Sequence, residues 1–126
     1  TYLNLSFSEV TNEGLKDVAK LEKLKLLYLI DTKITDRGLK EVAKLKNLSY
    51  LLLNDTKITD AGLKEAAKMK KLEKLYLEKT QITDGGLEEL AKMQQLRVLR
   101  LHGTKVTAAG LAELQKALPN CEIYGP

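Results

Sequence analysis

Leu24-Lys25-Leu26-Leu27-Tyr28-Leu29-Ile30-Asp31-Thr32-Lys33-Ile34-Thr35-Asp36-Arg37-Gly38-Leu39 recurs, with small changes, along the whole chain. Its glycine sets the period: Gly14, Gly38, Gly62, Gly86 and Gly110 follow one another at intervals of 24 residues. Aligned on that glycine, the chain gives one column of Leu3, Leu27, Leu51, Leu75, Leu99 and Ile123, and a second of Leu5, Leu29, Leu53, Leu77 and Leu101. Further columns are Ser8, Thr32, Thr56, Thr80, Thr104 and Val10, Ile34, Ile58, Ile82, Val106. A fixed period between about 20 and 50 residues marks a stacked or radial array, in which no single unit can bury its own apolar face.

Each unit carries two periods. Leu-x-Leu is period 2, one face of a short strand. Leu39, Val42, Ala43 and Leu45 follow helical spacing, which predicts helices near 12–20, 36–45, 60–69 and 84–93. Thr35 is placed as the N-cap, its hydroxyl accepting from an early backbone N–H, with Asp36 in the first turn and Ile34 and Leu39 stapling the cap. Gly38 inside the first turn costs roughly 1 kcal/mol against alanine. Its recurrence in all five units points to close backbone approach by the neighbouring unit.

The residues Leu24, Leu27, Leu29, Thr32 and Ile34 fill the pattern Leu-x-x-Leu-x-Leu-x-x-(Asn/Cys/Thr)-x-(Ile/Leu). They resemble a leucine-rich repeat, and the Ile-Thr-Asp-x-Gly-Leu continuation resembles the cysteine-containing, bacterial-type subclass. The resemblance implies an α/β leucine-rich-repeat solenoid, a horseshoe arc with a parallel concave sheet of about six short strands and about five convex helices. It covers residues 1–126, expected as a single domain with a closing strand near 121–124. Leu118-Pro119-Asn120-Cys121-Glu122-Ile123 resembles the closing segment of such proteins. Members of this family mostly bind proteins.

Composition narrows the function classes. The chain has 126 residues, 44% hydrophobic and 30% charged, which is globular rather than disordered. A net charge of +4 is mildly basic, short of the clustered footprint expected of a nucleic-acid binder, so no nucleic-acid partner is expected. No run reaches the roughly 18 apolar residues of a membrane helix, and no membrane partner is expected. No basic-then-apolar leader opens the chain, so no signal peptide is expected; a start at Thr1 points to a trimmed or partial chain. The compartment is left open. The single cysteine, Cys121, excludes an intrachain disulfide and reads as a buried thiol.

Catalytic chemistry is not expected. His102 is the only histidine and has no cysteine or histidine partner with which to build a metal site or nucleophile pair. No phosphate-binding Gly-x-x-x-x-Gly-Lys loop is present, so no enzyme activity, cofactor or metal is expected. Asp36, Asp60 and Asp84 share a column; they read as independent helix-terminus charges, the other reading being a cation-bridging ladder. Lys20, Lys44, Lys68, Lys92 and Lys116 form a column that reads as a solvated convex face with interleaved charge, the other reading being a basic stripe for phosphates or acidic lipid.

If the Leu columns point inward, the residues between them form an exposed concave sheet. Its candidates are Leu26, Tyr28, Ile30, Tyr50, Leu52, Asn54, Lys74, Tyr76, Glu78, Val98, Arg100 and His102. An apolar, tyrosine-bearing end therefore grades into a charged one, with Asp31 and Asp55 at its margin. Contiguous apolar surface marks contact sites, and Tyr and Arg are frequent binding anchors. The expected partner is a protein or peptide. The alternative is a structural or self-assembling scaffold: Phe7 and Val10 lie beside a strand edge with no capping helix before it, which predicts a monomer or weak self-association through the N-terminal edge.

Overall fold

Six short strands and five helices alternate along the chain, one pair per unit until the last strand. The computed structural model describes residues 1–126. The strands are β1 (Tyr2–Asn4), β2 (Leu26–Tyr28), β3 (Tyr50–Leu52), β4 (Lys74–Tyr76), β5 (Val98–Arg100) and β6 (Glu122–Tyr124). The helices are α1 (Leu15–Val18), α2 (Asp36–Val42), α3 (Asp60–Ala66), α4 (Leu87–Ala91, after a 3-10 turn at Asp84–Gly86) and α5 (Ala108–Ala117). Every strand pairs in parallel with the next, in the order β1 to β6, and the 24-residue period fixes the register: Leu27 faces Leu51, which faces Leu75, which faces Leu99.

The Leu columns do point inward. Leu27, Leu51, Leu75 and Leu99, with Leu29, Leu53, Leu77 and Leu101, are fully buried and belong to one continuous core. Between sheet and helices lie Ile34, Ile58 and Ile82, then Leu39, Leu63 and Leu87 from the helices. The strongest contacts run between equivalent elements of adjacent units, as in a quasi-one-dimensional stack.

The helices are shorter than their apolar spacing predicts. In the second unit the i→i−4 pattern ends at Ala43, whose N–H bonds the Leu39 carbonyl at 2.9 Å. Lys44 and Leu45 then bond carbonyls only three residues back, so the chain tightens into a turn while Leu45 stays in the core. Apolar spacing continues through such a turn, which is why it overstates helix length. In the fourth unit Asp84-Gly85-Gly86 opens as a 3-10 turn, consistent with the low helix propensity of paired glycines.

Each of the first five strands leaves the sheet through a residue in the left-handed region: Phe7 (φ 61°), Asp31 (50°), Asp55 (58°), Lys79 (57°) and Gly103 (75°). The first four still donate their N–H to the next strand's chain, at Ile30, Asn54, Glu78 and His102. Gly and Asp adopt this backbone at lower cost than Phe or Lys. One residue later the Ser/Thr hydroxyls of Ser8, Thr32, Thr56, Thr80 and Thr104 each donate to a carbonyl three residues back, at 2.5 to 2.8 Å. These bonds satisfy the turn locally, and they let Thr32, Thr56 and Thr80 be buried.

The aspartate column is neither a set of independent helix charges nor a row open to a cation. Asp36 accepts from the Thr59 N–H at 2.9 Å and the Thr59 hydroxyl at 2.5 Å. Asp60 does the same for Thr83, and Asp84 for Thr107. Each carboxylate thus ties its helix start to the next unit. The ladder begins with Asn12, whose Oδ1 accepts from the Thr35 N–H and whose amide donates to the Thr35 hydroxyl. That amide corrects one expectation. Thr59, Thr83 and Thr107 give their hydroxyl proton to an aspartate and accept from their own helices, at Ala61, Gly85 and Gly110. Thr35 makes no such cap bond, because its hydroxyl is turned to accept from Asn12.

The ladder also explains the glycine. A methyl at Gly38 would lie 2.5 Å from Asn12 Oδ1 and 2.8 Å from Leu15 Cδ1. The oxygen cannot retreat without releasing Thr35, so only glycine lets the next helix start sit there.

Candidate protein-binding surface

The sheet face away from the helices carries all twelve sequence candidates. One column across the strands is Tyr2, Leu26, Tyr50, Lys74, Val98 and Glu122; the next is Asn4, Tyr28, Leu52, Tyr76, Arg100 and Tyr124. Ile30, Asn54, Glu78 and His102 follow two residues beyond that second column. Along each central strand a buried leucine separates two partly buried residues, so the face is continuous and partly open to solvent. His102 is the one exposed candidate; the others are partly buried.

Its two halves are built differently. Leu26, Tyr28, Ile30, Tyr50 and Leu52 form the apolar half. Tyr2 extends it, its ring meeting Tyr28 edge-to-face at 5.7 Å and its side chain largely open to solvent. Tyr2 was absent from the sequence candidates although it occupies the column of Leu26 and Tyr50, so the 24-residue period did carry that information.

The charged half is internally locked. The Lys74 ammonium sits 4.6 Å from the Tyr50 ring centre. The Arg100 guanidinium lies 4.9 Å from the Tyr76 ring and 5.2 Å from the Tyr124 ring. Such cation–π contacts contribute about 0.5–1 kcal/mol each at exposed sites. Glu78 reaches Arg100 at 3.7 Å and accepts from the Asn54 amide at 3.2 Å, while Asn54 Oδ1 accepts the Glu78 N–H. Arg100 Nε is enclosed with no acceptor, a cost the two ring contacts help to offset. Glu122 accepts from the Tyr124 hydroxyl at 2.7 Å, and that bond raises the phenol pKa.

Two further sequence candidates have defined settings. Cys121 is buried, and desolvation together with the neighbouring Glu122 carboxylate pushes its thiol up to about 11. The convex lysines Lys20, Lys44, Lys68, Lys92 and Lys116 each pair with an acid three residues earlier, Asp17, Glu41, Glu65, Glu89 and Glu113. That face is interleaved charge. No helix is long and apolar enough to cross a membrane.

The architecture is that of an α/β leucine-rich-repeat solenoid. A family model described as Leucine Rich repeat matches residues 1–19 and 68–91. A leucine-rich repeat protein of Leptospira interrogans superposes with a TM-score of 0.68 at 27% identity over 97% of this chain. The chain spans 36% of that protein's length. A structure described as actin-binding site 2 of leiomodin-1 superposes with a TM-score of 0.74 at 19% identity, covering 95% of this chain and 79% of the other. No curated protein matches the sequence. Together these likenesses support a leucine-rich repeat family for the chain.

Proposed function

We propose that the chain is a protein- or peptide-binding module that uses its concave sheet face and performs no catalysis. One observation carries this: Tyr2, Leu26, Tyr28, Tyr50 and Leu52 are adjacent on three strands and remain partly open to solvent, while the inward leucines of the internal units are fully buried. The locked charges beside them are already ordered, which lowers the entropy lost on binding. Leiomodin-1 shows that the fold can serve protein binding. The Ile-Thr-Asp-x-Gly-Leu segment supports placement in the cysteine-containing subclass.

The test begins with peptides selected from a random library on the immobilised chain. Their affinity for the Tyr28→Ala/Tyr50→Ala protein, checked for fold by circular dichroism, is expected to fall by more than about 1 kcal/mol per hot-spot residue. Unchanged affinity in a folded variant removes the concave face from the assignment.

A second reading rests on a different observation. Leu3, Leu5 and Val10 are only partly buried, Leu21 is 48% exposed where Leu45, Met69 and Met93 are enclosed, and the outer edge of β1 is unpaired. That edge supports weak self-association. Sedimentation is expected to show a concentration-dependent mass that Leu21→Lys abolishes; a strict monomer across micromolar concentrations ends this reading.

A further inference from the structure

The net charge of the molecule is not spread over it. The four return loops that lead from helix to strand, residues 22–25, 46–49, 70–73 and 94–97, hold Lys23, Lys25, Lys46, Lys70, Lys71 and Arg97 against only Glu22 and Glu73. Six cations less two carboxylates give +4, and the whole chain is +4, so everything else sums to zero. Because the units stack in register, these loops come together on one rim of the solenoid. Three of the six cations, Lys25, Lys71 and Arg97, line a groove of about 820 Å³ on this rim, together with Glu73, Asn47 and Gln95 and a single apolar residue, Leu96.

The cations of this rim differ from those of the convex face. Each lysine in the convex column at position 20 and its repeats is matched by its own acid three residues before it. None of the five loop lysines has a carboxylate within ion-pair distance; Arg97 alone is paired, to Glu73 at 3.1 Å. Lys46 and Lys70 turn back onto the carbonyls of Ala43 and Ala67, and Lys71 donates to Asn47 Oδ1. These bonds hold the chains along the rim without neutralising them. Glu73 is the one carboxylate in the groove and is taken up by Arg97, which leaves Lys25 and Lys71 as its unpaired charges. A concave surface with a net positive charge concentrates counter-charged ligands.

We propose that this return-loop groove is a second interaction site, which takes an extended acidic peptide segment. The positive charges select carboxylates, and the Ser49 hydroxyl oxygen and Gln95 Oε1 can accept from a peptide N–H, while the Asn47 amide is already engaged with Glu22 and Lys71. Lys25 and Arg97 stand three units apart, roughly 14 Å at the strand spacing, which fits about four residues of extended chain. The groove has no aromatic side chain on which a base could stack, and single-stranded nucleic acid binding relies on such platforms. This site is separate from the concave face and does not depend on the function proposed for that face.

The test uses labelled octaglutamate, with octaglutamine and an eight-nucleotide oligothymidine as comparators, in fluorescence anisotropy at low and at physiological salt. Octaglutamate is expected to bind at low salt, octaglutamine not to bind, and the affinity to fall as salt rises. Lys25→Glu/Lys71→Glu is expected to weaken octaglutamate by about tenfold or more, equivalent to about 1.4 kcal/mol. Lys40→Glu/Lys64→Glu changes the net charge equally on the convex helices and is expected, at physiological salt, to leave the affinity within about twofold, since exposed charges beyond a Debye length of about 8 Å are screened there. Equal losses in the two variants would mean that net charge, not the groove, does the binding. Absence of octaglutamate binding, or tighter binding of the oligonucleotide, also overturns the proposal.

Discussion

The first unit and the third carry nearly the same residue pattern and reach different structures. In the third, Leu51 and Leu53 are fully buried, α3 runs seven residues, and Thr59 is held from behind by Asp36. In the first, Leu3 and Leu5 are partly open, α1 runs four residues, and Thr11 has no preceding acceptor within the chain. Nothing in the leucine pattern separates the two. What separates them is a neighbour on each side: an internal unit is closed by two others, the first by one. Stability in such a stack is a sum of unit and interface contributions, so the same residue contributes more where both interfaces exist.

The sharpest way to break this comparison is a matched pair of core truncations. Leu51→Ala is expected to cost about 2–5 kcal/mol in chemical denaturation, the range for a fully buried leucine. Leu3→Ala is expected to cost less than half of that, because its site is already open. Equal costs would show that the first unit is as well packed as the interior.

A smaller effect is expected along the ladder. Asp36→Ala leaves the Thr59 N–H without its acceptor and is expected to cost about 1–3 kcal/mol. Asn12→Ala is expected to cost less, since it removes bonds between neutral groups. The last rung adds a pH dependence. The Thr107 hydroxyl, and then its N–H, hold the Asp84 carboxyl below its ordinary value. The unfolded chain therefore binds the proton more readily, so this rung's stabilisation is present above the ordinary carboxylate range and is lost as pH falls through the lowered folded value. Thr107→Val is expected to move the Asp84 titration upward, as read by carbon-detected NMR; an unmoved titration would mean that the hydroxyl does not set it.

The smallest effect is a gain. Phe7 is 75% exposed and sits in the left-handed region where later units place Asp, Asp, Lys and Gly. Phe7→Asn is expected to stabilise the chain by about 1 kcal/mol, the low end of the usual cost of this backbone for a non-glycine residue. A loss in the melting experiment would show that the exposed ring makes a stabilising contact, and the first unit would then be better closed than its leucines indicate.

The candidate surface was largely legible in the sequence, because a strict period places every copy of a position in one column. Lys74 over Tyr50 and Arg100 between Tyr76 and Tyr124 were not legible. The period states that these residues are neighbours, while the direction in which a long side chain lies depends on what surrounds it. The return-loop charge was visible residue by residue, yet its gathering on one rim needed the loops to be stacked.

The sequence by itself determined the repeat, the inward leucines, the parallel order of the strands and the face on which the tyrosines stand. All of these follow from spacing, and spacing is written in one dimension. Only the tertiary structure decided where each helix stops, which hydroxyl caps and which instead accepts from Asn12, and that the aspartates belong to the next unit's threonines. The helix ends turn on local bonds three residues back, and the other two on hydrogen bonds between residues 23 apart in neighbouring units, whose direction is fixed only when both partners are in place.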